Sequence, residues 1–292
     1  MMTDQKGLTL LELMVATVVG LLVLSVIYSG YRSQQRSQTS EQLVVDMQQN
    51  ARAALSFMRR EIRMANYQPR AQNGVDDDAD GSVDESDESV VQGFMVAQPN
   101  MIRFSLDLNA DGDDADDNER ITYGFSDSND TNSDGIADAG AAALGRESRL
   151  NAGFKALAFD IQAVAYAYAF DDDDDGLLDT YGGTADGNVI WAFDSDNDGE
   201  LDRHLDTNTD GFINGLDSPG GNDLLAGGWV ANYISLSKIK AVQIWILGRT
   251  RHPIPDYLDT QTYVVGPRRV ASGDNYKRCL LNGMVSCRNM GI

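Results

Sequence analysis

Six segments repeat one arrangement of oxygen-bearing side chains, Asp-x-Asp/Asn-x-Asp-Gly, starting at Asp76, Asp107, Asp130, Asp171, Asp194 and Asp206. Alternate side chains of a tight loop can converge on one hard cation, and glycine at the sixth position permits the sharp turn. An acid at the ninth position and another at the twelfth complete the oxygen shell. The first copy fills all five side-chain positions with Asp76, Asp78, Asp80, Asp84 and Asp87; the last does so with Asp206, Asn208, Asp210, Asn214 and Asp217. The copies at Asp130 (Asn132, Asp134, Asp138), Asp171 (Asp173, Asp175, Asp179) and Asp194 (Asp196, Asp198, Asp202) stop at the ninth position. The copy at Asp107 offers only Asn109 and Asp111. Calcium suits such ligands. Magnesium keeps its water and demands stricter octahedral geometry.

Asp-Gly is a common turn pair, so one copy alone reads as a solvated turn. Six copies of one spacing read as cation loops. None carries Glu at the twelfth position, and long amphipathic flanking helices are missing, so the loops resemble dockerin and thrombospondin type 3 repeats more than high-affinity EF-hands. Affinities on the order of 10⁻⁴–10⁻³ M are expected. The starts at Asp194 and Asp206 predict two sites in tandem. Zinc is disfavoured, because His204 and His252 are the only histidines and no CxxC pair occurs.

Charge is segregated along the chain. The net −22 divides into +3 over residues 1–70, +6 over 225–292 and −31 over 71–224. Self-repulsion at that density opposes compaction until cations neutralise it, and it excludes nucleic acid as a partner. At the other extreme, Leu8–Tyr28 is a nearly unbroken apolar run, long enough to cross a bilayer as a helix. Glu12 interrupts it. A carboxylate at that depth costs several kcal/mol, about 3 on insertion scales, and needs a partner. Were the chain cut after Gly7, the freed amine of Leu8 in one subunit could pair with Glu12 of the next.

Lys6-Gly7-Leu8-Thr9-Leu10-Leu11-Glu12 resembles the class III prepilin signal of type IV pilins and type II secretion pseudopilins. The resemblance implies removal of a leader ending at Gly7 by prepilin peptidase, methylation of Leu8, and a role in assembly for Glu12. Leu8 departs from the family's usual phenylalanine. Ser29-Gly30 stands where many major pilins have a helix-kinking proline, so any local loosening of the helix falls to Gly30. Residues 50–67, and the ending Tyr276-Lys277-Arg278-Cys279-Leu280-Leu281 with Arg288-Asn289-Met290, look like PilW-like minor pilins.

Beyond the apolar run, Leu43, Met47, Ala51, Ala54, Leu55, Met58 and Ile62 recur at three- and four-residue steps, one apolar stripe on a helix. No Gly or Pro other than Gly20 and Gly30 interrupts residues 8–68, and Pro69 ends the element. A helix from Leu8 to Asn66 is about 90 Å long at roughly 1.5 Å per residue. Alternation and β-branched or aromatic content predict strands over Val90–Val96, Met101–Leu106, Arg120–Phe125, Ala163–Phe170, Ile239–Leu247 and Tyr263–Val265. The cation loops after Leu106, Phe125 and Phe170 are placed along one rim of the sheet. Asn282-Gly283 predicts a closing hairpin. Depending on its loop length, Cys279 and Cys287 face each other and bond, or remain two separate thiols.

These readings predict an α+β, pilin-like fold: a long N-terminal helix on an antiparallel sheet with calcium-loop insertions near 74–88, 107–139 and 171–223. The expected organisation is a leader (1–7), a transmembrane and filament-core helix (8–28), its amphipathic continuation (29–68) and a β-rich head (69–292). The expected function is a minor pilin or pseudopilin that joins or primes a filament, with other pilin subunits, prepilin peptidase and the inner membrane as partners. It would sit in the inner membrane with its head in the periplasm before joining a pilus or pseudopilus at the cell surface. A calcium-dependent adhesin at a filament tip is the alternative. An enzyme is not expected, since neither histidine lies near a Gly-x-Ser-x-Gly turn and no glycine loop cradles phosphate.

Overall fold

The computed structural model describes residues 9–68, 93–109, 114–184, 187–217 and 229–290. Gly7, Leu8, Asp111 and the whole loop from Asp76 to Asp87 lie outside these ranges. The chain divides into two compact units, Met1–Val45 and Asp46–Ile292.

Helix α1, Leu10–Ile62, runs unbroken through Gly20 and Gly30. In the first unit its apolar side chains face outward, Leu10, Leu11, Leu13 and Leu21 among them. An eighteen-residue window there reaches a mean hydropathy of 2.6 with none of it buried, which makes the helix long and apolar enough to cross a membrane. In the second unit the stripe is buried through Met47, Ala51, Ala54, Met58 and Ile62. The helix stops four residues before the expected Asn66. Asn66 takes φ 59°, the left-handed conformation that asparagine tolerates and a helix cannot continue through. Its N–H turns away to the carbonyl of Ser105 at 2.9 Å.

The sheet of the second unit has the order β1 (Phe94–Ala97), β2 (Ile102–Ser105), β3 (Arg120–Gly124), β4 (Ala142–Glu147), β5 (Lys155–Phe170), β6 (Ala192–Phe193), β7 (Glu200–His204) and β8 (Trp229–Ser235). Strand β9 (Ile239–Arg249) pairs with β5 and with β12 (Arg278–Ser286), all antiparallel. Strands β10 (Thr262–Val265) and β11 (Arg268–Ala271) form a separate hairpin. The core between sheet and helix includes Phe104, Tyr123, Tyr166, Tyr168, Ile244 and Ile246. One face of β9–β12 meets the helix closely: a Cβ placed on Gly248 would lie 3.0 Å from Met47 Cγ, and one on Gly283 would lie 3.4 Å from Leu55 Cδ2.

Two expectations are corrected. Asn282-Gly283 makes no hairpin; β12 runs straight through it in continuous register with β9, from Arg278 opposite Arg249 to Ser286 opposite Ala241. The alternation of Leu281, Gly283 and Val285 toward the helix outweighs the local turn preference. Eight residues of extended strand hold Cys279 and Cys287 about 26 Å apart at roughly 3.3 Å per residue, far beyond the ~4.4–6.8 Å between α-carbons that a disulfide spans. Both cysteines are free, and burial pushes the Cys287 thiol up to about 12. Secondly, β2 and β3 are antiparallel, so the loops after Leu106 and Phe125 leave the sheet at opposite ends. Of the three loops after Leu106, Phe125 and Phe170, those begun at Asp130 and Asp171 follow strands of like direction, because β3 and β5 each run antiparallel to β4.

Candidate metal centres and the N-terminal motif

Four of the six acidic loops are described over all their ligand positions, and they share one internal architecture. The first carboxylate is buried in each: Asp130, Asp171, Asp194 and Asp206 are at most 5% exposed. One of its oxygens accepts the N–H of the sixth-position glycine, at 2.8 Å in Gly135, 3.0 Å in Gly176, 3.0 Å in Gly199 and 2.7 Å in Gly211. The other accepts a fifth-position N–H, from Asp134, Asp175 and Asp210; in the Asp194 loop the fourth-position N–H of Asn197 reaches it at 2.5 Å.

The fifth-position carboxylates, Asp134, Asp175, Asp198 and Asp210, each accept the N–H two residues on. The ninth-position acids close the loops. Asp138, Asp179 and Asp202 take the N–H of Thr131, Asp172 and Ser195. In the last loop the ninth position is Asn214, and the twelfth-position Asp217 takes over by accepting the N–H of Thr207 at 3.0 Å. The fourth position is left-handed in each of these four copies, with φ between 55° for Ser133 and 64° for Asn197.

This scaffold crowds negative charge. The carboxylate oxygens of Asp171, Asp173 and Asp175 lie within 4.8 Å of one another, as do those of Asp194, Asp196 and Asp198, and either trio could hold a metal ion. Burial raises Asp130, Asp179, Asp194 and Asp217 above the ordinary carboxylate range. Asp138 is held below it by the N–H and hydroxyl of Thr131. A cation within each loop would favour ionisation of all its carboxylates and offset their repulsion. Oxygen-only donors on a flexible loop suit a hard divalent ion.

The Asp107 loop is built differently. Asp107 is buried, but the organising group is Glu119, only 1% exposed. Glu119 accepts the N–H of Leu108 at 3.0 Å, of Asn109 at 3.4 Å and of Asp116 at 3.1 Å, while the Asn109 amide donates to Asp116 at 2.8 Å. Sequence reasoning missed Glu119 because it falls one place outside the twelve-residue frame counted from Asp107.

At the N-terminus, Thr9 and Glu12 cap α1 reciprocally. The Glu12 carboxylate accepts the Thr9 N–H at 2.9 Å and the Thr9 hydroxyl at 3.0 Å, and the Glu12 N–H donates to Thr9 Oγ1 at 3.3 Å. This is a capping box, and its signal, Thr-x-x-Glu before an apolar run, was present in the sequence.

Comparisons with known proteins bear on this end of the chain. Residues 2–28 match the model of the prokaryotic N-terminal methylation motif. Among curated proteins none matches. Among solved structures, a type IV-like pilin from Thermus thermophilus aligns at 14% identity and a TM-score of 0.35, covering 84% of this chain and 97% of its own. A likeness at that score carries no argument. The prokaryotic N-terminal methylation motif thus stands at the head of a long apolar helix, in a chain whose second unit carries an antiparallel sheet.

Proposed function

We propose that the chain is a minor pilin or pseudopilin, cut after Gly7 by prepilin peptidase, methylated on Leu8, and assembled with other pilin subunits through its apolar helix. The carrying observation is the methylation motif over residues 2–28. On this reading residues 8–28 anchor the subunit in the inner membrane before assembly, and 29–68 continue the helix. Glu12 pairs with the Leu8 amine of the adjacent subunit, so that neither charge is buried alone. Its cap on Thr9 leaves the carboxylate free to accept further donors, since each carboxylate oxygen offers two lone pairs.

The acidic loops bind calcium, and the ion neutralises a head that otherwise repels itself. The common hydrogen-bond scheme of the loops at Asp130, Asp171, Asp194 and Asp206 supports this, because four unrelated turns have no reason to share it. The loop from Asp76 to Asp87 and the twelfth-position acid Asp217 belong to the same proposal.

Mass spectrometry of the mature N-terminus tests the filament reading. Methylated Leu8 is expected; an N-terminus at Met1, or a cut inside the apolar run, overturns it. Calorimetry of the full chain in detergent tests the loops. Binding of calcium at several sites is expected, with less heat from a Gly176→Asp, Gly211→Asp double variant. Equal heat from both proteins overturns the assignment.

A further inference from the structure

A cavity of about 430 Å³ opens on the face of β9 and β12 that points away from α1. Gln243 and Trp245 lie two residues apart on β9 and so share that face, and Asn282 sits directly opposite Trp245 in β12. Trp191, immediately before β6, supplies one side. Residues 211–214, from the loop begun at Asp206, supply the other, with Phe212 71% exposed at the rim. That loop is fastened in place twice: the Asn188 amide donates to the Thr209 carbonyl at 2.8 Å, and Arg269 Nη2 donates to the Gly215 carbonyl at 2.6 Å.

The lining has a definite chemistry. It contains two of the chain's three tryptophans and Phe212, three side-chain amides, and no charged residue. Both Gln243, which is half-buried, and Asn282, which is exposed, line the cavity, and neither amide has a hydrogen-bond partner among the described residues. Unspent amides beside aromatic faces suit a neutral ligand with an apolar face and a hydroxyl-rich edge. A sugar ring has both. An anionic ligand is disfavoured by the surrounding acidic loops and the net charge of −22.

We propose that this cavity binds a neutral saccharide, its ring stacked on Trp191 and Phe212 and its hydroxyls bonded to Gln243, Asn282 and Asn214. The proposal rests on the calcium reading in one respect: the wall formed by residues 211–214 belongs to the Asp206 loop, so calcium in that loop fixes the wall and tightens binding.

The test uses the full chain in an amine-oxide detergent, which has no sugar headgroup to compete. Cello-, chito- and galacto-oligosaccharides are titrated with tryptophan fluorescence as the readout, and a proline-rich peptide library is run in parallel. At least one neutral oligosaccharide is expected to bind, with affinity lowered tenfold or more in Trp191→Ala and in Asn282→Ala while melting temperature and calcium heats stay unchanged. Failure of every oligosaccharide to bind to folded, calcium-titrating protein overturns the proposal. So does binding that survives both substitutions, or capture of peptides alone. Chelation separates the two readings. Sugar binding that weakens in chelator supports both; sugar binding that persists, with silent calcium calorimetry, upholds the cavity and removes the calcium loops.

Discussion

Glu12 carries two jobs that one substitution can separate. Its carboxylate caps α1 through Thr9, and on the proposed reading its charge meets a neighbour's amine. Glutamine serves equally at this position of a capping box, so Glu12→Gln keeps the cap and removes only the charge. Unchanged membrane insertion and helix content are expected, with filament incorporation reduced tenfold or more on quantitative blotting of sheared filaments; normal incorporation ends the amine-pairing idea. A second charged group does structural work outside the loops. The Arg278 side chain, 2% exposed, bonds Asp259 at 3.1 Å, Asp274 at 2.7 Å and Gln162 Oε1 at 2.7 Å. Arg278→Met strands the buried Asp259 carboxylate and should cost about 3–5 kcal/mol in denaturant unfolding. The Arg278 bond holds Asp274 below its ordinary value of 3.8. Asp259 is also lowered, its burial outweighed by bonds from Gln261, Arg278, Ser272 and Tyr263. Groups lowered on folding stabilise the protein above their unfolded value and lose that contribution as pH falls through the folded one. The gap between wild type and Arg278→Met therefore narrows below about pH 4, and a gap constant with pH contradicts the assignment.

The elements that sequence periodicity revealed are those with a strong one-sided pattern. Helix α1 was legible because its stripe is buried in the second unit and its apolar run is nearly unbroken in the first. Strands β2, β3, β5 and β9 were legible because they carry alternating or continuous β-branched and aromatic residues. Strands β6 and β8 were missed, and so were β4, β7 and β11. The sequences of these last three, Ala142–Glu147, Glu200–His204 and Arg268–Ala271, are rich in Gly, Ala or charge, and neighbouring strands rather than intrinsic preference hold them extended. The candidate loops were legible down to single ligands where the twelve-residue frame held, and illegible at Glu119, where it slipped by one. That the helix packs on an antiparallel sheet was readable; the individual contacts between them were not, since they join pairs remote in sequence. Glu61, in the last turn of α1, receives the Tyr123 hydroxyl and a forked contact from Arg146 at 2.9 and 3.0 Å. Tyr123→Phe removes a buried hydroxyl bonded to a charged acceptor and is expected to cost about 1.5–3 kcal/mol. Little change in the unfolding midpoint would mean that Arg146 alone satisfies Glu61.

Across the whole molecule, the balance is between a net charge of −22 and a ten-stranded antiparallel sheet that carries acidic loops at both its ends. Two agents can relieve the repulsion, and they act differently. Monovalent salt screens exposed charges over a Debye length of about 8–10 Å, but it cannot enter a loop whose carboxylate oxygens lie within 4.8 Å of one another. A calcium ion bound there stabilises the folded state by mass action, because the unfolded chain has no preformed site. At calcium twenty times the dissociation constant each filled loop adds about 2 kcal/mol. Several loops together should raise the melting temperature by well over ten degrees, since about 1 kcal/mol moves a chain of this size by roughly 2–4 °C. Sodium chloride at the same ionic strength should recover only the smaller, screened part. Magnesium, which sheds its water reluctantly, should fall between them. The measurement is a melting series of the full chain in chelator, in calcium, in magnesium and in matched sodium chloride. If sodium chloride reproduces the calcium curve, the loops are acidic turns that salt screens, and the shared hydrogen-bond scheme of Asp130, Asp171, Asp194 and Asp206 serves the backbone alone.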